Sequence, residues 1–221
     1  MTAHQITVVN WLVDSDPAVR WQVLQDLTDA TPEEIATERA RVEHVGWGAR
    51  LLALQEADGL WAGGACFPAS YAGGEPGQPW TATMHTLQTL QIFGLDPASE
   101  AVRKTIALVA EHGRWEHEGQ RYFDGDVASP AYLDFAFPYY WHYDVLRALD
   151  YFRRQGAEPD SRMAEAVEVV RSKRQPDGRW LLDRAHPGRV HFALEGGEGQ
   201  PSRWNTLRAL RVLDWWEGRA E

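Results

Sequence analysis

The densest aromatic segment of the chain, residues 132–144, contains two carboxylates, Asp134 and Asp144. A carboxylate buried among aromatic rings is costly to keep charged, so each of the two is a candidate general acid. His85 is the third candidate catalytic residue, because an internal repeat places it in a position equivalent to that of Asp144. If the chain is an enzyme, these three residues predict acid catalysis.

Aromatic residues near these candidates could form a binding site for an apolar molecule. The candidate ligand-binding rings are Trp80, Tyr140, Trp141 and His142. Aromatic faces bind apolar ligands and stabilise carbocations through their quadrupole. The interior of an ordinary helical protein uses the same residues. The pattern therefore leaves three alternatives: core packing, an apolar ligand pocket and a catalytic pocket.

Four polar residues recur at one position of the repeat. Each stands two residues before the first leucine of a Leu-x-x-Leu pair, and they are Gln22, His85, Asp144 and Asn205. On a helix this position points about 160° away from the leucine. If the leucines pack against outer helices, the four polar side chains face a central cavity, and Gln22 and Asn205 join the candidate ligand-binding residues. Solvated helix faces are the alternative.

Cys66 is the only cysteine, which excludes an internal disulfide and an all-cysteine zinc site within one chain. A metal site with mixed ligands stays open. The sequence contains no phosphate-binding glycine loop, dinucleotide fingerprint, serine nucleophile elbow or His-Glu-x-x-His motif. We therefore predict no cofactor and no resident metal.

Length and charge narrow the class of protein. The 221 residues predict one domain, residues 1–221, and the formal net charge of −10 argues against a nucleic-acid partner. The sequence shows no cluster of Lys or Arg that would argue otherwise. The N-terminus lacks the pattern of a secretory signal, and no apolar run predicts a membrane segment. We expect a soluble cytoplasmic protein.

Apolar residues recur at helical spacing outside three loops. Asp16 before Pro17 and Thr31 before Pro32 are helix start signals. Further helices are predicted over residues 48–54, 80–93, 98–111, 139–154, 161–173 and 201–216. The three loops are residues 62–79, 116–138 and 181–200. Each begins at the same position of the repeat, so we expect the loops to gather at one end of the helices and to form the entrance of any ligand site. His186 and His191 lie in the last loop and are expected to be solvated.

Two independent landmarks give one repeat length. The Leu-x-x-Leu pairs begin at Leu24, Leu87, Leu146 and Leu207, which by subtraction of residue numbers are 63, 59 and 61 residues apart. Gly-x-Trp recurs at Trp61, Trp115 and Trp180 with a similar spacing. A period near 60 residues predicts stacked helical hairpins, because neither helix of a pair could bury its apolar face alone.

Two segments resemble the repeat motif of squalene and oxidosqualene cyclases. They run from Gln55 to Trp61 and from Gln175 to Trp180, and each follows a predicted helix. Those enzymes share an α/α-toroid fold with the β-subunits of protein prenyltransferases. The resemblance implies an all-α toroid or partial toroid of about four hairpins, with repeats over residues 46–216 and a first, atypical repeat formed by helices in residues 4–45. In that family the Gln caps a helix and the Trp braces neighbouring repeats.

The chain departs from the family at the positions that carry chemistry. The Asp-x-Asp-Asp acid motif of the cyclases is missing, and its nearest remnants are Asp124 with Asp126 and Asp14 with Asp16. The first pair is also typical of a polar turn around Gly125, and the second of a helix cap.

The prenyltransferases instead hold zinc with Asp, Cys and His. Here a comparable site would have to combine Cys66 with His85, His142 and Asp144. The local Asp-x-Cys pairing of the family is absent, because Gly64 occupies the Asp position. A lone buried cysteine that acts as a small apolar side chain is the alternative.

Three hypotheses of function follow. The first is a terpenoid-cyclase-like or prenyl-handling protein that binds an apolar, isoprenoid-like molecule, with an Asp as acid if it is catalytic. The second is a non-catalytic binder of such a molecule, and the third is a helical-repeat module for protein partners. A homodimer is a further alternative, since Trp215 and Trp216 could either pack on the first repeat or form an interface.

Overall fold

The computed structural model describes residues 3–74, 76–112 and 130–218. Within these ranges the chain is mostly helical, which confirms the predicted all-α class. The helices are α1 Ala3–Val13, α2 Pro17–Leu27, α3 Pro32–Ala40, α4 Gly46–Leu52, α5 Thr83–Phe93, α6 Glu100–His112, α7 Val145–Arg154, α8 Ala164–Ser172 and α9 Arg203–Trp216. Two-residue strands, β1 Trp180–Leu181 and β2 Pro201–Ser202, pair antiparallel.

Capping residues set the starts of the N-terminal helices where the sequence predicts them. The Asp16 side chain accepts a hydrogen bond from the backbone N–H of Ala18 and begins α2, whose first residue is Pro17. Thr31 and Glu34 form a reciprocal capping box at the start of α3. These contacts satisfy backbone donors that have no partner inside the helix.

The first helices of the successive repeats, α2, α5, α7 and α9, pack partly against one another. α9 lies against both α7 and α2, and α2 also packs on α5. Two buried clusters hold the helices together. One contains Leu12, Trp61, Phe93 and Trp204, and the other contains Phe135, Leu146, Trp180 and Trp215. α9 contributes to both clusters and therefore connects the N-terminal and C-terminal parts of the chain.

The two intact Gly-x-Trp motifs have equivalent surroundings. The indole Nε1 of Trp61 donates to the carbonyl of Leu51 in α4, and that of Trp180 donates to the carbonyl of Val170 in α8, both at 2.7 Å. The backbone N–H of each Trp donates at 3.0 Å to the hydroxyl of a threonine in the next helix, Thr83 or Thr206. The motif thus ties the end of one hairpin to the start of the next.

The two glutamines of the motifs are not equivalent. Gln55 donates to the carbonyls of Gly59 and Ala101 and to the hydroxyl of Thr105, so it links its turn to α6. The backbone hydrogen bonds that Glu56 makes in the first turn are made by Gln175 in the second, so Gln175 is equivalent to Glu56 and not to Gln55. Among the described residues, the Gln175 side chain donates only to the carbonyl of Lys173. Gln175 therefore bonds to the C-cap residue of the helix before it, α8, as the resemblance implied for this glutamine, whereas Gln55 bonds to its own turn and to α6.

The predicted start of α7 is also wrong. The aromatic segment before it does not continue the helix, because Tyr140 has a positive φ of 45° and Asp144 is extended. The Asp144 side chain accepts a hydrogen bond from the backbone N–H of Arg147, so α7 begins at Val145. A helical-wheel position cannot describe Asp144, because it is the N-cap and not part of the helix.

The loops meet as predicted. The backbone N–H of Trp80, which follows the first loop, donates to the carbonyl of Arg189 in the third loop. The described end of the second loop joins the third through hydrogen bonds between Phe135 and Asp183. The described parts of the three loops are therefore in contact with one another.

The C-terminal tryptophans pack inside their own half of the molecule. The Trp215 indole donates to the carbonyl of Ala157, in the turn between α7 and α8, at 2.8 Å. Trp216 packs against the same buried cluster as Trp215. Packing on the first repeat, one of the two predicted alternatives, is therefore wrong for Trp215. Within the described residues, no helix combines the length and apolar character needed to cross a bilayer.

Candidate functional site

A cleft of 1230 Å³ lies among α2, α5, α7 and α9. Its wall combines apolar side chains such as Leu87 and Leu90 with glutamines, arginines and aspartates. The lining differs from the apolar lumen expected from the sequence, because charged side chains from α7 and α9 contribute to it. Trp141, Gln78 and Cys66 contribute to the wall from the loops.

Beside the cleft lies a cluster of six rings, referred to below as the aromatic–histidine cluster. Its members are Trp80, His85, Tyr140, Trp141, His142 and His186. The rings of Trp80 and Tyr140 stack at 4.2 Å, and those of His142 and His186 stack at 3.7 Å. Sequence reasoning had named five of the six, and the structure brings those five together.

Gln78 connects this cluster to the cleft and assigns the tautomer of His85. The Trp141 indole, which is only a donor, lies 3.0 Å from Gln78 Oε1. The Gln78 amide nitrogen therefore faces His85 and donates to Nε2 of that ring at 2.7 Å. His85 Nε2 accepts this bond, so the ring is neutral. Burial of His85 lowers the pKa of its imidazole, which agrees with that assignment.

The other histidines also lie in surroundings that disfavour the charged ring. Burial, and then the neighbouring His142 and Arg184, lower the pKa of His186 to about 4. Burial and the same arginine lower the pKa of His142. His191 is bonded to the hydroxyl of Thr86 at 2.9 Å, and its pKa is lowered by burial. The expectation that His186 and His191 are solvated is wrong.

Asp144 and Asn205 meet through an arginine that the sequence did not single out. The buried Asp144 carboxylate lies 3.5 Å from the Arg208 guanidinium and accepts from the backbone N–H groups of Ala136 and Arg147. The Asn205 carbonyl oxygen accepts a bond from Arg208 at 3.3 Å. The Asp144 carboxylate is therefore engaged in structural contacts, as the N-cap of α7 and as the partner of Arg208.

Gln22 meets the next arginine along α9. Its side-chain oxygen accepts from Arg211 Nη1 at 2.9 Å, and its backbone carbonyl accepts from Arg211 Nη2. Arg211 also forms an ion pair with Asp26. The first and last of the four cleft helices, α2 and α9, are therefore joined by buried polar contacts.

The four repeated polar residues do not form one ring around the cleft. Gln22 and His85 line it, whereas Asp144 and Asn205 lie behind Arg208, which does line it. Asp134 is separate from all of them, since its carboxylate lies 3.7 Å from Arg184 and is partly exposed. Asp124, Asp126 and the third Gly-x-Trp motif at Trp115 lie outside the described residues.

No metal site is assembled by the part of the chain that the structure describes. There, no group of three or more His, Cys, Asp or Glu side chains is close enough to hold an ion. Cys66 is an exposed free thiol. The mixed zinc site of Cys66 with His85, His142 and Asp144 is therefore not formed, and the expectation of a buried cysteine is wrong.

Sequence reasoning missed the arginines of α9 and the connecting role of Gln78. The spacing of Arg208 and Arg211 places them on one face of α9, but only the folded chain shows that this face is buried and which carboxylates it meets. Gln78 stands in a loop without periodicity, and only the folded chain brings it to His85.

Comparison of the chain with family models, with curated proteins and with solved structures gave no match.

Proposed function

We propose that the chain is a small-molecule binding protein with the architecture of a partial α/α toroid. The contacts of α9 with α2 and α7, and of α2 with α5, support an inner layer formed by the first helices of the repeats. α4 and α8, which receive the indole bonds of the Gly-x-Trp motifs, would belong to the outer layer.

The observation that carries the proposal is the 1230 Å³ cleft shared by α2, α5, α7 and α9. Small-molecule sites are concave and combine apolar walls with a few convergent polar groups, and they occur between the helices of bundles. Leu87 and Trp141 provide apolar contact area, and Trp141 is 55% exposed. An apolar, isoprenoid-like segment would fit this wall.

Binding without acid catalysis is the form of the proposal that the geometry favours. Asp144 is engaged as a helix cap and as the partner of Arg208, and the Nε2 atom of His85 is bonded to Gln78. Neither group offers a proton to the cleft. Asp134 lies outside the cleft lining and faces Arg184.

The first test is native mass spectrometry of the purified protein, followed by denaturing extraction and mass analysis of any small molecule. We expect one bound molecule per chain, or binding of the neutral dye Nile red to an empty cleft. The same spectrum reports whether the protein is a monomer or the homodimer considered from the sequence. A protein that carries no ligand and does not bind the dye would contradict the proposal.

A cleft-filling variant locates the binding. Leu87→Trp places a larger side chain on the cleft wall, and we expect it to weaken dye or ligand binding about tenfold or more, because overpacking removes the space for the ligand. Leu54→Trp is the matched control, because Leu54 is an exposed leucine that does not line the cleft. Equal affinities of the two variants would place the ligand elsewhere.

A further inference from the structure

The cleft lining is rich in arginine. Among the described residues, five arginines line it against two aspartates, Asp26 and Asp150, although the whole chain has a formal net charge of −10. The arginines are Arg39 from α3, Arg153 and Arg154 from α7, and Arg208 and Arg211 from α9. The cleft is therefore locally cationic in an acidic protein.

The nearby carboxylates do not supply a partner for every arginine. Asp144 pairs with Arg208, and Asp26 pairs with Arg211. Asp150 pairs with Arg153 within α7.

Two cleft arginines remain without a carboxylate. Arg39 donates its Nε–H to the carbonyl of Gly94 and lies over the Trp21 ring. The side chain of Arg154 has no hydrogen bond or ion pair within the described residues. Among the described residues, positive charge at the cleft therefore exceeds the negative charge that faces it.

The guanidinium groups of α9 have donors to spare. The side chains of Arg208 and Arg211 are only 4% and 7% exposed. Among the described residues, Nε of Arg208 and Nε of Arg211 nevertheless have no hydrogen-bond partner, and Nη2 of Arg208 has only the Asp144 carboxylate oxygen at 3.5 Å. A buried donor without a partner costs about 1–3 kcal/mol. Because the two arginines are three residues apart, both guanidinium groups lie on the same face of α9.

The electrostatics at Arg211 also favour a negatively charged ligand. Burial lowers the pKa of the Arg211 guanidinium, the nearby Arg153 lowers it further, and Asp26 opposes the shift. A negatively charged group in the cleft would relieve this repulsion and provide acceptors for the free donors. Arginine binds carboxylate and phosphate oxygens through two parallel hydrogen bonds, so it suits both groups.

We propose that Arg208 and Arg211 form an anion subsite in the cleft, and that the ligand carries a phosphate or carboxylate group beside its apolar part. This inference rests on the proposed small-molecule binding at the same cleft. The guanidinium groups of α9 would have to turn their buried, unpaired donors toward the anionic oxygens, and the charges of Arg153, Arg154 and Arg39 would favour binding of the anion over a neutral analogue.

Isothermal titration with inorganic phosphate, pyrophosphate and citrate, at constant ionic strength maintained with sodium chloride, tests the subsite. We expect saturable binding of phosphate-type anions, of citrate, or of both, and the comparison identifies which oxyanion the subsite prefers. Arg208→Lys keeps the positive charge opposite Asp144 but loses the forked donors, and should weaken binding about tenfold or more.

Arg154→Gln removes an exposed charge without breaking any contact in the described part of the chain, so it tests the subsite even if Arg208→Lys fails to fold. It should weaken anion binding about threefold, with a smaller loss at high salt. Arg103→Gln, on the exposed face of α6, is the matched control and should bind as the unmodified protein does.

The outcomes separate the two proposals. Nile red binding without binding of any of the three anions would overturn the anion subsite and leave the binding function intact. Anion binding that Arg154→Gln and Arg103→Gln weaken equally would also overturn the subsite, because the anion would then respond to overall charge. Binding of neither dye nor anion would overturn both proposals.

Discussion

At the scale of single residues, the stacked pair of His186 in the third loop and His142 before α7 carries a pH response. His186 lies parallel to His142 at 3.7 Å, and its pKa of about 4 is below the ordinary value of 6.5. Between these two pH values the unfolded chain binds a proton that the folded chain does not. The stability contributed by His186 is therefore fully present above pH 6.5 and is lost as the pH falls toward 4.

We predict that His186→Phe flattens the dependence of unfolding free energy on pH in this window. The change should remove up to about one proton from the uptake that accompanies unfolding. Other histidines with lowered pKa values, His85, His142 and His191, act in the same direction and leave part of the slope in place.

Urea titrations at several pH values between 4 and 7 measure the slope. The control is His44→Phe, which replaces an exposed histidine outside the aromatic–histidine cluster. A His186→Phe profile that follows the unmodified protein throughout the window would show that the packing around His186 does not govern its titration.

At the scale of elements, two helices end in the same way but in different surroundings. After α5, the N–H groups of Gly94 and Leu95 donate to the carbonyls of Gln91 and Leu90, and α7 ends with the same pair of bonds at Gly156 and Ala157. Both glycines have positive φ, 86° and 68°. A side chain at Gly94 would lie 2.2 Å from the Trp21 ring, whereas nothing lies within 4 Å of one at Gly156.

We predict that Gly94→Ala lowers the free energy of unfolding by about 2–5 kcal/mol. The left-handed backbone costs about 1–2 kcal/mol, and displacement of the buried Trp21 adds about 1–3 kcal/mol. Gly156→Ala is the matched control and should cost only the first of these amounts. Urea denaturation of both variants measures the difference. Equal losses of unfolding free energy would mean that α2 and α5 shift enough to accommodate the added methyl group.

At the scale of the whole molecule, the contact of α9 with α2 joins the first and last repeats. Arg211 donates to the backbone and side chain of Gln22 and pairs with Asp26, and its own side chain is 7% exposed. Removing one member of a buried ion pair leaves the other without compensation, which costs about 3–5 kcal/mol.

We predict that Arg211→Met destabilises the protein by about this amount and releases α2 before the C-terminal hairpin. Hydrogen exchange followed by mass spectrometry should show faster exchange in α2 than in α7 and α8, which pack on each other. Arg162→Met, which removes an exposed ion pair with Asp160, is the control. Uniform acceleration across all helices would instead mean that the chain opens as one unit.

The sequence alone determined the features that depend on local spacing. Caps at Asp16 and Thr31, the helical class and the repeat of Gly-x-Trp could all be predicted, because helix starts and amphipathic faces are properties of neighbouring residues. The sequence also named five members of the aromatic–histidine cluster as candidate site residues: Trp80, His85, Tyr140, Trp141 and His142.

Only the tertiary structure decided which groups face each other across the cleft. The start of α7 at Val145 depends on Asp144, and two partners of its carboxylate, Ala136 and Arg208, lie outside α7. The arginines of the cleft come from three helices, α3, α7 and α9. Long-range pairing of charges leaves no periodic signal, because it depends on how the helices pack and not on the spacing within any one of them. That packing produced a cleft lined by both apolar and cationic side chains instead of the expected apolar cavity.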